Sequence, residues 1–301
     1  KSAVLIRART KAIRAMRNRP TGVTAEDIAA ASRFALLEAI AGGTTSFSDM
    51  YFFYYKAAQA AEDVGMKINI GRLAQCFDPN LKAEEEPRYK EALEAVRLPS
   101  TPLIKYEYSI HSEYLSTDNL MIALAKDMEV NRDKTLNIHV SETLSEHEEC
   151  KKRHGGKTPV EYLDDLGILN NSTYMAHCIY TEEKDLEIMK KRGCTIVHNP
   201  SSNMKLGSGF APIAKALSMG INVALGTDGC ASNNNLNMFE EMHLEAILSK
   251  GITKDPTVIT SDQAIDIATI NGAKALGRFD TGEIVVGKKA DIILIDFDKL
   301  F

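Results

Sequence analysis

Five apolar or β-branched runs along this chain end on a histidine or an aspartate, and that recurrence constrains the fold more than any other feature. Ile104 to Ile110 stops at His111, Thr135 to Ile138 at His139 and Ser172 to Ala176 at His177. Thr195 to Val197 stops at His198, and Asn222 to Leu225 leads through Gly226 and Thr227 to Asp228. Each run carries the side chains of a buried strand, and each polar residue falls where the strand must end. A single strand-end histidine is often a satisfied structural residue. Five in series imply a shared site, because parallel α/β barrels collect their catalytic residues at the carboxyl ends of successive strands.

The intervening segments supply helices. Ala25 to Ile40 has helical periodicity, with Thr24 as N-cap and Gly42-Gly43 as the stop. Further helices are expected over Tyr55 to Val64, Arg88 to Val96, Thr117 to Met128, Pro159 to Leu166, Glu182 to Arg192 and Ala211 to Met219. They alternate with the five runs and with strands over Thr44 to Met50 and Lys67 to Leu73. Such alternation with short connections predicts a parallel sheet, and seven or so units predict an α/β fold of the (β/α)8 TIM type with one unit unaccounted for. An open doubly wound sheet is disfavoured, since no G-x-G-x-x-G follows the first strand and polar residues end nearly every strand rather than one switch point.

Two more helices, Leu236 to Leu248 and Ser261 to Leu276, follow the last strand. Gly282 to Gly287 and Ala290 to Asp296 then read as short strands of a different unit, to which Ser2 to Arg9 could return a strand from the other end. The expected division is a barrel over residues 10–280 and a small composite β unit from 1–9 and 281–301.

At 301 residues, with 44% hydrophobic and 26% charged side chains, the composition is that of a globular protein with a sizeable core. A net charge of -5 gives no general attraction to nucleic acid, and the alanine-rich stretch from Arg7 to Arg19 reads as a helix face. No apolar run reaches the roughly 18 to 20 residues of a membrane span, and no secretory signal is visible, so a cytoplasmic protein is expected. The five cysteines, Cys76, Cys150, Cys178, Cys194 and Cys230, form no C-x-x-C pair and read as reduced, packed thiols. Glu84-Glu85-Glu86 reads as a solvated loop, and Met204 to Pro212 as a flexible rim segment lacking the G-K-[ST] of a phosphate loop.

The segments HVSET, AHC, HNPSSNMKLGSG, GTDGCASNN and GEIVVGKKADIILID together resemble the amidohydrolase superfamily, in its branch of 5-methylthioadenosine/S-adenosylhomocysteine deaminases and related chlorohydrolases. The resemblance runs from about Gly42 to Phe301, with GTDG followed by ASNN its most specific part. It implies a metal-dependent hydrolytic deaminase of adenine-type nucleosides, holding one divalent metal, zinc or alternatively iron, through His139 and Asp228. It further implies that Asp228 accepts a proton from water, that His177 orients this water and that Glu142 shuttles a proton to the ring. Arg88, His111, Glu142 and Ser232 resemble substrate contacts. His198 reads as an anchor of the HNP turn. A small nucleoside is the expected partner, nucleic acid and membrane are not, and a homo-oligomer is compatible with the family. The family opens its barrel with a strand ending in H-x-H, and no H-x-H occurs in this chain; a segment carrying it is expected between the VLIRA run and GVTAED. Guanine or another aminopurine, or a chlorotriazine, is the alternative substrate. A metal-free binding or scaffold protein is the alternative of another class.

Overall fold

The computed structural model describes residues 22–296 and 298. The strand expected at Ser2 to Arg9 and the helix face from Arg7 to Arg19 lie outside these residues.

Helix α1 (Ala25–Ala41) starts on a capping box in which Thr24 and Asp27 satisfy each other's backbone N–H, as its sequence predicts. Strand β1 (Ser46–Tyr51) and helix α2 (Tyr54–Val64) follow, then β2 (Lys67–Ala74), all eight of whose residues are buried. Helix α3 (Pro87–Val96) leads into β3 (Ile104–Tyr106) and β4 (Tyr108–Ile110). One strand was expected over Ile104 to Ile110; it is interrupted at Glu107. The carboxylate of Glu107 is buried and takes hydrogen bonds from Ser48 Oγ (2.7 Å), Thr135 Oγ1 (2.6 Å), Tyr174 OH (2.5 Å) and Asn69 Nδ2 (3.2 Å).

Helix α4 (Asp118–Val130) precedes β5 (Leu136–Val140). Helix α5 (Leu144–Arg153) was not expected, because its strongly polar sequence buries only His147 and Cys150. Helix α6 (Pro159–Asp165), β6 (Thr173–His177), α7 (Glu183–Arg192) and β7 (Thr195–His198) continue the alternation. A short helix α8 (Pro200–Lys205) occupies the start of the expected rim segment. Helix α9 (Ile213–Ser218), β8 (Asn222–Leu225), the single turn α10 (Cys230–Asn233) and the long α11 (Met238–Thr253) come next. The final expected helix is broken at Thr269 into α12 (Ser261–Ala268) and α13 (Ile270–Ala275).

Every strand pairing is parallel, in the order β1-β2-β4-β5-β6-β7-β8 with β3 also on β2. Parallel sheets require cover on both faces, and here helices cover the outer one through Ile110, Leu120, Met121, Leu124, Leu136, Ile138, Leu163 and Met175. Gly71 sets the spacing of β2 and β4, since a Cβ there would stand 1.9 Å from Ser109 Oγ and 2.9 Å from the Glu107 carbonyl oxygen. At the opposite end of the strands from the polar termini, Ala275 and Leu276 pack on Tyr174 and Ala224. Arg278 locks this plug by donating to Asn69 Oδ1 (3.0 Å) and to the carbonyls of Ile68 (2.7 Å) and Leu103 (2.8 Å).

Neither strand expected at Gly282 to Gly287 or Ala290 to Asp296 forms. Alternation of apolar residues makes a strand only where a neighbour accepts its hydrogen bonds. No such neighbour adjoins these segments among the described residues, and Val286 and Leu294 stand almost fully exposed.

Candidate functional site

Strand β5 shows how the site is aimed. Leu136, Ile138 and Val140 are buried toward the helices, while Asn137 and His139 alternate to the other face and are partly exposed. Asn137 donates to Ser48 Oγ (2.9 Å) in the interior, and His139 lies one pleat nearer the mouth. On β6, Tyr174 reaches Ser48 and Glu107 in the same interior, and Ala176 lies opposite His139. Strict alternation would send His177 to the helix side. Instead it takes φ 73°, and its ring stacks on that of His139 at 5.4 Å between centroids. Ser141 (φ 50°), Cys178 (φ 51°) and Asp228 (φ 56°) are also left-handed at these strand ends. Such backbone costs of order 1 to 3 kcal/mol per residue and concentrates where function demands it.

The ring of His111 lies 4.9 Å from that of His139, giving a row His111, His139, His177. Burial lowers the basicity of all three; mutual repulsion adds to this at His111, pushed down to about 4, and at His139. They are neutral imidazoles at neutral pH. His139 donates its Nδ1 proton to the His111 carbonyl oxygen (2.7 Å), which leaves Nε2 with a free lone pair. Asp228 accepts from Ser202 Oγ at 2.5 Å and from the Gly229 N–H. A neutral imidazole nitrogen and a braced carboxylate are the donor chemistry of a catalytic zinc site, so His139 and Asp228 fit a divalent metal.

Glu142 is about a quarter exposed, with Oε2 3.8 Å from His177 Nε2. Burial raises its pKa, the neighbouring His139 opposes this and Asp228 adds to it. Its loop is clamped by Glu146, whose carboxylate accepts from the N–H of Ser141 (3.0 Å) and Glu142 (2.8 Å).

Four expected site residues, His139, Glu142, His177 and His111, thus come together, with Asp228 near enough for its charge to act on each of them. Ser232 lies on α10, directly after the Asp228 loop. Arg88 has its guanidinium 5.8 Å from the centre of the Phe77 ring and 3.8 Å from Glu86. His198 points to the helix side. It is fully buried, bonded through Nδ1 to Glu245 of α11 at 2.5 Å and packed edge-on against Phe210.

Sequence reasoning missed the amides and hydroxyl of the HNPSSN run. Ser202 braces Asp228, Asn203 Oδ1 meets His177 Nδ1 at 2.8 Å, and Asn199 Oδ1 fills the space that a Cβ on Gly226 would enter at 2.4 Å. The run's polarity after a strand was the available signal. Elsewhere, Glu113, Cys150 and His154 bring three ligand-type atoms within 4.8 Å of one another. Arg153 already pairs with Glu113, and burial pushes the Cys150 thiol up to about 12, so this group reads as an ion-paired clamp between α5 and the loop after β4. No helix among the described residues is long and apolar enough to cross a membrane.

The sequence profile of the amidohydrolase family matches residues 4–300. A 5-methylthioadenosine/S-adenosylhomocysteine deaminase of Thermoanaerobacter pseudethanolicus is 41% identical over 282 residues, covering 92% of this chain and 64% of the relative. A 5'-deoxyadenosine deaminase of Methanosarcina mazei is also 41% identical, over 278 residues and the same shares. The chain therefore spans a little under two thirds of the length of these relatives. Among solved structures, an adenosine deaminase from Xanthomonas campestris with bound zinc superposes with a TM-score of 0.84 at 31% identity, over 90% of this chain and 62% of that one. The zinc complex of an E241Q mutant of atrazine chlorohydrolase TrzN from Arthrobacter aurescens TC1 shares the fold at 21% identity, with a TM-score of 0.81 over 89% of this chain and 64% of that one.

Proposed function

Since the chain belongs to the amidohydrolase family, we propose that it carries the catalytic barrel, residues 10–280, of a hydrolytic deaminase of adenine-type nucleosides. The observation that carries this reading is the Glu142 carboxyl facing His177 Nε2 at 3.8 Å, beside His139 and within the field of Asp228. The deaminase names of relatives at 41% identity support it.

In this reading His139 and Asp228 hold one divalent ion, zinc by analogy with the adenosine deaminase structure. When bound, such an ion supplies a water acidified toward neutral pH and an electrophilic centre. The residues do the rest. Asp228 accepts the water's proton while its other contacts, Ser202 and the Gly229 N–H, hold the carboxylate in place. His177 orients the water. Glu142, kept protonated longer by burial, delivers a proton to the ring nitrogen next to the amino-bearing carbon. Water adds at that carbon, Asp228 passes on to the amino group the proton it took, the hydroxyl proton returns to Glu142, the carbon–nitrogen bond breaks, and ammonia leaves with an inosine-type product. His111 and Ser232 line the substrate side, and Arg88, beside Phe77, is a third candidate substrate contact. We assign the protein to the cytoplasm.

The test is ammonia or chloride release by zinc-loaded protein from methylthioadenosine, S-adenosylhomocysteine, 5'-deoxyadenosine, adenosine, guanine and a chlorotriazine. The adenine nucleosides should react, and Glu142→Gln should lower kcat by about 10² to 10⁴ with little change in KM. Turnover confined to guanine or the triazine would remove the substrate assignment; turnover of none would remove the deaminase reading.

A further inference from the structure

His177 is 1% exposed, and two amides reach its Nδ1 with opposite demands. Asn203 Oδ1, at 2.8 Å, can only accept and requires a proton on Nδ1. Asn199 Nδ2, at 3.4 Å, can only donate and requires a lone pair there. Distance decides between them, since 2.8 Å lies near the centre of the normal range and 3.4 Å lies outside it. Turning the Asn203 amide over would aim two donors at one lone pair. Either orientation leaves one buried atom of that amide without a partner among the described residues, so the short contact to Nδ1 carries the assignment.

We infer that Asn203 is a positioning residue for His177: its side-chain oxygen fixes the imidazole proton on Nδ1, so that the Nε2 facing Glu142 is a pure acceptor. His139 reaches the same tautomer by another route, through the His111 carbonyl. The two adjacent residues Ser202 and Asn203 of α8 thus brace Asp228 and His177 respectively. An Nε2 that only accepts can orient a water or a protonated carboxyl but cannot itself donate. The effect on turnover rests on the deaminase reading above; the tautomer does not.

The experiment is nitrogen-15 NMR of zinc-loaded protein carrying labelled histidine, with the signal of His177 picked out of the seven histidines by its loss in His177→Gln. A neutral ring with its proton on Nδ1 is expected. Asn203→Leu should abolish that signature and lower kcat by roughly 10- to 100-fold with KM little changed. Asn203→Asp retains an oxygen acceptor and should keep the Nδ1 proton, and Asn199→Ala should leave it unmoved. A wild-type ring protonated at Nε2, a signature unchanged in Asn203→Leu, or one displaced by Asn199→Ala would each overturn the inference. Should Asn203→Leu fail to fold, the wild-type spectrum with the other two variants still decides. Absence of deaminase activity with an intact Nδ1 signature would defeat the functional reading alone.

Discussion

His111, His139 and His177 share one electrostatic circumstance: each is easier to protonate in the unfolded chain than in the fold. A folded pKa below the ordinary 6.5 means that the unfolded state binds more protons between the two values. The stability these groups contribute is therefore complete above pH 6.5 and is lost as pH falls toward the value of about 4 reached at His111. Metal-free protein should accordingly melt lower at pH 5 than at pH 7.5, on the order of 5 °C, and His111→Asn should flatten the slope. Glu146, whose burial raises its carboxyl to about 7, acts with the opposite sign over the same interval, so the deciding comparison is the variant: a pH slope left unchanged by His111→Asn would show that the row is not buried as described. These three residues were legible because strand-end histidines repeat at the ends of β-branched runs. Asn203, Asn199 and Glu245 were not, since an amide or carboxylate that supports a histidine from another element leaves no spacing in the sequence.

At the level of elements, period-two and period-3.6 patterning located strands and helices wherever one face is buried, and it failed where that condition fails. Strand β5, expected over Thr135 to Val140, starts one residue later with alternating burial, and β8 coincides with its expected run. Helix α5 went unread because it lacks an apolar stripe, although the Thr143–Glu146 capping box was present to mark its start. The break at Thr269, with φ -120° and ψ -90°, falls where no proline or glycine stands to announce it. Glycines carry the opposite kind of information. Gly71 looks like a weak strand residue, yet β4 passes so close that Gly71→Ala should cost about 1 to 3 kcal/mol in urea unfolding with m unchanged. Adding Ser109→Gly should restore only part of the loss, because the Glu107 carbonyl would still stand 2.9 Å from the new methyl. Full recovery, or no loss at all, would contradict the strand spacing.

The described residues form a curled parallel sheet clothed in helices, plus an apolar tail that adds no strand to it and is tied to β2 through the Lys67–Asp291 ion pair. In hydrogen exchange of the 301-residue chain, β2 and β4 to β7 should be protected and residues 282–296 should exchange quickly, Val286 and Leu294 being exposed. Slow exchange there would mean that the tail has found a partner strand. The foot of the sheet bears on how the chain is made. Asn69 on β2 receives its Arg278 guanidinium from 209 residues further along the chain. At about 5 to 20 residues per second, a ribosome finishes the donor some 10 to 40 s after the acceptor has emerged. For that interval the buried amide and the two carbonyls beside it lack their cation, and the growing sheet must be kept from aggregation by something other than its own last helix.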